Sequence, residues 1–232
     1  MNEVASLSVF AGLDPEKQFH GLRQALAPAV EAICKKERGH SRRTAIVELF
    51  RSALAEGREI ARARLEARGS GLACARLLSA LEDELIGAIY DYVVRFVYVV
   101  DNPTFAERLS IVAVGGYGRG ALAPGSDIDL LFLVPYKQTP WGESVIEAIL
   151  YILWDLRQKV GHATRSVAEC MRQARADMTI RTTLLEARFI LGNAELFSEF
   201  RESFDREIAR LDTREFVSAK LAERDARVMR AG

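Results

Sequence analysis

The stretch VAVGGYGRGALAPGSDIDLLFLVP, residues 112–135, decides how this sequence folds. Two short apolar runs, IVAV (111–114) and IDLLFLV (128–134), have the length and the flanking Gly and Pro residues of strands that are buried on both faces. A glycine-rich segment joins them and ends in the pair Asp127 and Asp129. We therefore expect two core strands connected by a tight turn, with both carboxylates at the entrance to the second strand.

The glycines also fit a different kind of loop. GYGRGA, residues 116–121, matches the pattern G-x-G-x-x-[GA] of a dinucleotide-binding turn. Such a turn needs a helix that begins within the glycines, so that the helix N-terminus faces the pyrophosphate. Pro124 and Gly125 follow at once and a strand starts by residue 128, which leaves no room for that helix. A P-loop is excluded because no Gly-Lys-Ser/Thr is present.

The two aspartates indicate a metal site. Residues two apart on a strand point to the same face, so Asp127 and Asp129 present neighbouring carboxylates with Cα atoms about 6.6 Å apart. Their mutual repulsion and their resistance to desolvation are both relieved by a divalent cation. Hard oxygen ligands suit Mg²⁺ or Mn²⁺ together with substrate phosphates, and Arg119 supplies donors that neutralise phosphate charge. This pattern favours metal-dependent phosphoryl transfer over a hairpin with solvated aspartates.

Composition excludes several function classes. The chain has 232 residues, 49% of them hydrophobic, which is enough for one large or two small domains. Lys plus Arg and Asp plus Glu both number 32, so no overall basic field exists to hold a nucleic acid, and none is expected as a partner. Apolar runs stay below transmembrane length, so no membrane contact is expected. Three widely spaced cysteines without a CxxC pair fit a reducing, cytoplasmic location.

Helical periodicity precedes the two strands. Apolar residues at three- and four-residue steps predict one helix from Ser41 to about Arg68 and a second from Leu72 onwards, which ends at DNP (101–103). The RGSG at 68–71 predicts a turn between them. We expect the two helices to pack against each other as a hairpin.

Helices and one strand are predicted after the motif. The apolar spacing over 144–160 indicates a helix, with Ser144 and Glu147 as its capping box. HATRSV (162–167) is a candidate third strand, and Ser166 begins a capping box for the helix that follows.

The remaining sequence has a helical period apart from a break at Gly192–Asn193. Arg181 and Arg188 in this segment are candidates for nucleotide contact, but we favour solvated charges on a helix face. The predicted fold class is therefore α+β, with a small mixed sheet flanked by an N-terminal helical hairpin and a C-terminal helical segment. We divide the chain into an N-terminal helical region (1–104), a core (105–170) and a C-terminal helical region (171–232).

The motif resembles a known superfamily. Gly-Gly, ten further residues and then Asp-Ile-Asp-Leu are similar to the signature of DNA polymerase β-type nucleotidyltransferases. The longer string GGYGRGALAPGSDIDLLFL resembles the bacterial PII-protein uridylyltransferase/uridylyl-removing enzymes, in which Glu commonly stands at the position of Ala121. The likeness covers roughly residues 108–232 and implies the polymerase β-like sheet. In that family an HD-type hydrolase domain and two ACT domains follow, so we expect this sequence to be the transferase part of a longer protein.

The resemblance implies a reaction. UMP is transferred from UTP to a tyrosine of the PII signalling protein, with release of pyrophosphate. Asp127 and Asp129 are implied to hold Mg²⁺ (or Mn²⁺). The implied contacts to the triphosphate come from Gly115, Gly116, Arg119 and Ser126.

Two points stay open at this stage. Superfamily members supply a third carboxylate from a later strand, but HATRSV contains no acid. Asp177 is the best candidate in this sequence for that catalytic role, and it fits a helix cap equally well. The motif handles phosphates and metal, which all nucleoside triphosphates share, so another specificity such as adenylyl transfer, or a regulatory nucleotide-binding module without catalysis, remains an alternative.

Overall fold

One four-stranded sheet organises the fold, in a computed structural model that describes residues 10, 19–100, 104–136, 139–209 and 213–231. The spatial order of the strands is β3-β2-β1-β4. Strand β1 is antiparallel to both of its neighbours, whereas β2 and β3 are parallel. The predicted mixed sheet is thus confirmed. The strands are β1 (Ser110–Ala113), β2 (Ile128–Val134), β3 (Val160–Ser166) and β4 (Arg188–Gly192).

Helices cover both faces of the sheet. Helices α1, α2, α3 and α5 share one apolar core with one face, and α6, α7 and α8 share a second core with the other face. No helix in the described ranges is long and apolar enough to span a membrane. The helices are α1 (Leu22–Lys36), α2 (Gly39–Arg68), α3 (Gly71–Tyr92), α4 (Gly115–Gly118), α5 (Pro140–Asp155), α6 (Val167–Ala176), α7 (Met178–Leu185), α8 (Ala194–Phe204) and α9 (Thr213–Ala231).

Strand β2 shows why an unbroken apolar run is needed at the centre. Leu130 and Phe132 point into the core formed with α1–α3 and α5. Leu131 and Leu133 point into the core formed with α6–α8. Because side chains alternate along a strand, a central strand that is buried on both faces loses the polar half of the period-2 pattern. Asp129 shares the parity of Leu131, so its carboxylate lies on the side of α6–α8.

The predicted hairpin of α2 and α3 is confirmed, but α3 ends at Tyr92 and a π-helical turn follows at Val93–Val97, so the helix ends before the predicted 101–103. Helix α2 ends at Arg68 and is capped by Gly69, which has a φ of 65°, a conformation that favours glycine, and whose N–H donates to Leu65 O. The capping box at Ser166 is also confirmed. The start of α5 at Ser144 is wrong, because the helix begins at Pro140 and is capped by the Thr139 hydroxyl. Proline fits there because its missing N–H would have had no helical partner.

The prediction of helix after residue 183 is wrong for residues 188–192, which form strand β4 along the free side of β1. An apolar run this short has no distinct period, so pairing with β1 decides its structure. Gly192 permits the pairing, since it has a φ of 103° and any Cβ there would clash with Leu109 O. The sheet therefore continues past residue 170, the predicted end of the core region, because β4 lies at Arg188–Gly192.

A buried carboxyl group joins the helical hairpin to the sheet. Glu82 on α3 is 2% exposed and accepts hydrogen bonds from Gln158 Nε2, which lies 3.0 Å from Oε1. Arg58 Nη2 on α2 lies 3.4 Å from the same oxygen. Burial raises the pKa of Glu82 to about 7, against the opposing effects of the Arg58 charge and the Gln158 hydrogen bond. The ordinary pKa is 4.5, so the folded state binds this proton more tightly than the unfolded state.

We therefore predict that stability falls as pH rises through 7. A raised pKa contributes stability that is present below the unfolded value and is lost above the folded value, so unfolding free energy should drop by about 1 kcal/mol between pH 6 and pH 8. Glu82→Gln should remove this slope in chemical denaturation, whereas Glu66→Gln, at an exposed position on α2, should retain it. An unchanged slope in Glu82→Gln would contradict the assignment.

Candidate functional site

The antiparallel pairing of β1 and β2 brings the glycines to the aspartates. Asp127 directly precedes β2, and Asp129 is its second residue. The backbone N–H of Val114 donates to Asp129 O at 3.0 Å, so the chain leaves β1 beside the start of β2. Gly115 and Gly116 follow at once. The structure thus brings four of the predicted site residues to one end of the sheet.

The Asp129 carboxylate occupies a space that two glycines leave open. Gly115 has a φ of 58°, and a Cβ there would lie 2.9 Å from Asp129 Oδ2. The parallel register places Gly161 of β3 opposite Asp129, and a Cβ on Gly161 would lie 2.5 Å from Oδ1. Sequence reasoning missed Gly161. Its only local sign was a glycine directly before the expected strand 162–167, a position where glycine can mark close approach of another group.

The pair of carboxylates has the electrostatics of a cation site. Burial, followed by the charge of Asp127, raises the pKa of Asp129 above its ordinary value. Within the described ranges, no hydrogen bond or ion pair joins either carboxylate to another side chain. Uncompensated negative charge from hard oxygen donors suits Mg²⁺ or Mn²⁺. The donor set therefore fits a divalent cation bound by Asp127 and Asp129.

The glycine-rich segment forms one helical turn, α4. The expectation that no helix begins in the glycines is wrong by this single turn of four residues. The turn cannot serve a dinucleotide fold, because β1 and β2 are antiparallel and form no βαβ unit. Gly118 is required here for packing, since a Cβ would clash with the backbone oxygen of Glu186.

Arg119 and Ser126 lie on the segment between α4 and β2. Arg119 Nη1 donates to both carboxylate oxygens of Glu186 at 2.8 Å. Its side chain is 59% exposed, and Nη2 is available toward Gly116, where a Cβ would lie 3.5 Å away. Ser126 is exposed, and its N–H donates to Ala123 O at 3.1 Å in a tight turn.

A partly buried hydrogen-bond network joins α4 to α3 and β4, and sequence reasoning missed it. The Tyr117 hydroxyl donates to Asp83 Oδ1 on α3 at 2.6 Å. Arg188 of β4 donates to both oxygens of Asp83, at 2.7 and 3.0 Å. Arg188 therefore lies on a strand and is half-buried in an ion pair with Asp83, so the prediction of a solvated charge on a helix face is wrong. Asp83 is 34 residues from Tyr117 and 105 from Arg188, so no local pattern could reveal the contact.

Asp177 is a helix cap in the structure. Its Oδ1 accepts hydrogen bonds from the backbone of Thr179 at 2.7 Å and of Ile180 at 3.0 Å, at the start of α7. Hydrogen bonds from Ile180 and then Thr179 lower the pKa of its carboxyl group. The described residues contain no group of three or more His, Cys, Asp or Glu side chains arranged to hold a metal. The structure therefore does not bring Asp177 together with Asp127 and Asp129.

Two cavities border the site. One of about 240 Å³ lies between Asp129, Gly161 and α7, with Thr179 and Thr183 on its helical wall. The other, about 300 Å³, lies behind residues 122–126 and reaches Arg58 and Glu82. Of these two cavities, only the first is lined by a carboxylate of the pair, that of Asp129.

Comparisons with known proteins agree with this arrangement. Residues 102–190 match the family model described as a nucleotidyltransferase domain. The chain is 48% identical over 219 residues to the bifunctional uridylyltransferase/uridylyl-removing enzyme of Rhodopseudomonas palustris. It is 50% identical over 209 residues to the protein of the same name from Bradyrhizobium diazoefficiens. These matches confirm the resemblance expected from the sequence.

The chain spans less than a quarter of these relatives. The two alignments cover 94% and 89% of this chain, but 23% and 22% of the relatives' own lengths.

The space that Gly161 leaves for the Asp129 carboxylate allows a direct test of metal binding. Gly161→Ala should force the Asp129 carboxylate to rotate away, because the new Cβ would lie 2.5 Å from Oδ1. Affinity for Mn²⁺, measured by electron paramagnetic resonance, should fall by about tenfold or more. Thermal stability should change little, because a flexible side-chain end absorbs the clash.

Gly71→Ala is the matched control, since nothing lies within 4 Å of a Cβ at that position. Equal Mn²⁺ affinity in the wild-type protein and Gly161→Ala would show that the geometry around Asp129 does not govern metal binding.

Proposed function

We propose that this chain transfers UMP from UTP to a tyrosine of a PII-type signalling protein, releasing pyrophosphate; the match of residues 102–190 to the nucleotidyltransferase domain model supports the reaction class. One observation carries the proposal: Asp127 and Asp129 stand side by side at the start of a central strand, and Gly115 and Gly161 leave the space that the Asp129 carboxylate fills. The choice of the uridylyl group rests on the relatives, which are named uridylyltransferases.

The carboxylates are assigned to metal binding. Asp127 and Asp129 would hold Mg²⁺ or Mn²⁺ through oxygen atoms that have no other cationic partner in the described residues. A bound divalent cation supplies charge neutralisation for the phosphates and for both oxygens of an in-line displacement at phosphorus. The chain keeps the two carboxylates adjacent because they lie at the start of strand β2, which is packed on both faces.

The triphosphate is assigned to the single turn of α4 and to the segment after it. Gly115 and Gly116 lack side chains, so their backbone N–H groups can be approached closely by phosphate oxygens. Ser126 offers a hydroxyl next to Asp127. Arg119 lies beside Gly116 and would offset charge on the leaving pyrophosphate, with its fork already oriented by Glu186.

The reaction balances without a covalent enzyme intermediate. The tyrosine hydroxyl of the acceptor releases its proton to solvent as its oxygen attacks the α-phosphorus of UTP, the bond from the α-phosphorus to the bridging oxygen breaks, and pyrophosphate departs with the bonding electrons. Two carboxylates carry this scheme. Asp177 is left as the cap of α7, because its Oδ1 is already used by two backbone donors.

Removing either carboxylate should abolish transfer. With UTP, Mg²⁺ and a PII-type protein as acceptor, Asp127→Asn and Asp129→Asn should each lower the rate of labelling by roughly a thousandfold. Asp225→Asn, at an exposed position on α9, is the matched control and should retain the wild-type rate. Retained labelling in both site variants would refute the assignment of the catalytic pair.

The nucleotide is tested separately. We expect the wild-type chain to label the acceptor from UTP in preference to ATP, because its relatives are uridylyltransferases. Competing rates with equal concentrations of the two nucleotides measure this preference. Turnover with ATP alone would change the substrate while leaving the reaction class intact. Metal-dependent UTP binding without turnover on any acceptor would instead favour the regulatory alternative.

A further inference from the structure

The outer side of β3 is an open strand edge next to the candidate site. Strand β3 is last in the sheet order and pairs with β2 on one side. Lys159 O accepts from Ile128 N, so the backbone groups of residues 159, 161 and 163 face β2. Those of His162 and Thr164 face the other way, and no hydrogen bond within the described chain engages them. Gly161 and His162 are also exposed.

One face of this edge leads to the Asp129 carboxylate. Gly161 lies between Asp129 and the edge and has no side chain. A Cβ on Gly161 would lie 2.5 Å from Oδ1 of Asp129. An added strand would lie about 4.8 Å beyond β3, or two strand spacings from β2. A long side chain at that position on the same face would therefore point across Gly161 into the cavity that contains Asp129.

The opposite face of the edge carries exposed aromatic rings. His162 pairs with Leu130 and so lies on the face opposite Asp129. Its ring centroid is 6.3 Å from that of Trp154, which in turn is 5.5 Å from that of Tyr151 on α5. Tyr151 is 51% exposed and Trp154 is 45% exposed. Exposed, clustered aromatic side chains are typical anchors for a protein partner.

The charge around this edge selects among partners. Residues 157–165 include Arg157, Lys159 and Arg165 and contain no acidic residue. This segment therefore favours a partner whose flanking residues are acidic.

We propose that an extended segment of the acceptor protein, carrying the tyrosine that receives the nucleotide, pairs with the open edge of β3 as a fifth strand. The inference rests on the proposed transferase function. Because side chains alternate along a strand, the tyrosine points over Gly161 to Asp129 while its two neighbours point to Tyr151, Trp154 and His162. Main-chain hydrogen bonds to His162 and Thr164 supply affinity, and the aromatic and basic side chains supply selectivity for apolar and acidic neighbours.

The edge is tested with Thr164→Pro. Proline removes the outward N–H and leaves the bonds to β2 intact, which edge strands tolerate. Binding of the PII-type acceptor to the chain is measured by biolayer interferometry without nucleotide, and UMP transfer is measured in parallel. We expect at least tenfold weaker acceptor binding in Thr164→Pro, with Mg²⁺-dependent UTP binding within twofold of wild type. Thr164→Val keeps the N–H and should bind the acceptor as the wild type does.

A second variant covers a failure of Thr164→Pro to fold. The exposed pair Tyr151→Ser with Trp154→Ser removes the aromatic anchors, and it should raise the acceptor KM severalfold while leaving the KM for UTP unchanged. Thermal melting checks that each variant is folded.

The outcomes separate the two proposals. Unchanged acceptor binding in every folded variant, while the wild type transfers UMP, would overturn edge docking and leave the function standing. Edge-dependent acceptor binding without UMP transfer by the wild type would overturn the function and leave docking of that protein in place. Self-association of the chain that Thr164→Pro abolishes would assign the edge to a second copy and overturn the inference.

Discussion

The site depends on one steric constraint: the Asp129 carboxylate fills a gap that exists only because two neighbouring strands present glycine to it. Gly115 approaches from the end of β1 and Gly161 from β3, so β2 must lie between these two strands. The strand order that buries β2 on both faces is the same order that creates the gap. The fold and the candidate site therefore depend on the same packing. The hydrophobic effect places β2 at the centre of the sheet, and this also places Asp127 and Asp129 at the end of the sheet where β2 begins.

The central part of the fold was predictable because its pattern is local. Apolar runs bounded by Gly and Pro identified β1 and β2, and helical periodicity identified the hairpin of α2 and α3. Strand β4 was not predictable, because a run of five residues has no distinct period and its structure is decided by β1, nearly 80 residues earlier. The start of α5 failed for a related reason. Ser144 fits a capping pattern, but Pro140 and Thr139 offer a better one.

The candidate site also contains residues that the sequence could indicate and residues that it could not. Asp127, Asp129 and the glycines of α4 stand in one continuous stretch, so their spacing alone indicated phosphate and metal chemistry. The residues that support them do not. Asp83, Glu186 and Arg188 contact α4 or Arg119 from other elements. In the sequence they are single charged residues within helical or apolar segments, and nothing local marks them. Asp177 shows the limit of reasoning by residue type, since a carboxylate at a helix start satisfies backbone donors first.

Because a cavity lies behind residues 122–126, the two ends of the candidate site are packed differently. The carboxylates sit on a strand packed on both faces, whereas the segment that carries Ser126 is backed by an empty volume of about 300 Å³. Its described backbone anchors are Leu122 N to Ala75 O at one end and Ser126 N to Ala123 O at the other. The acidic pair is therefore held by close packing on both faces of β2, whereas the segment with Ser126 borders a cavity and is held by few backbone hydrogen bonds.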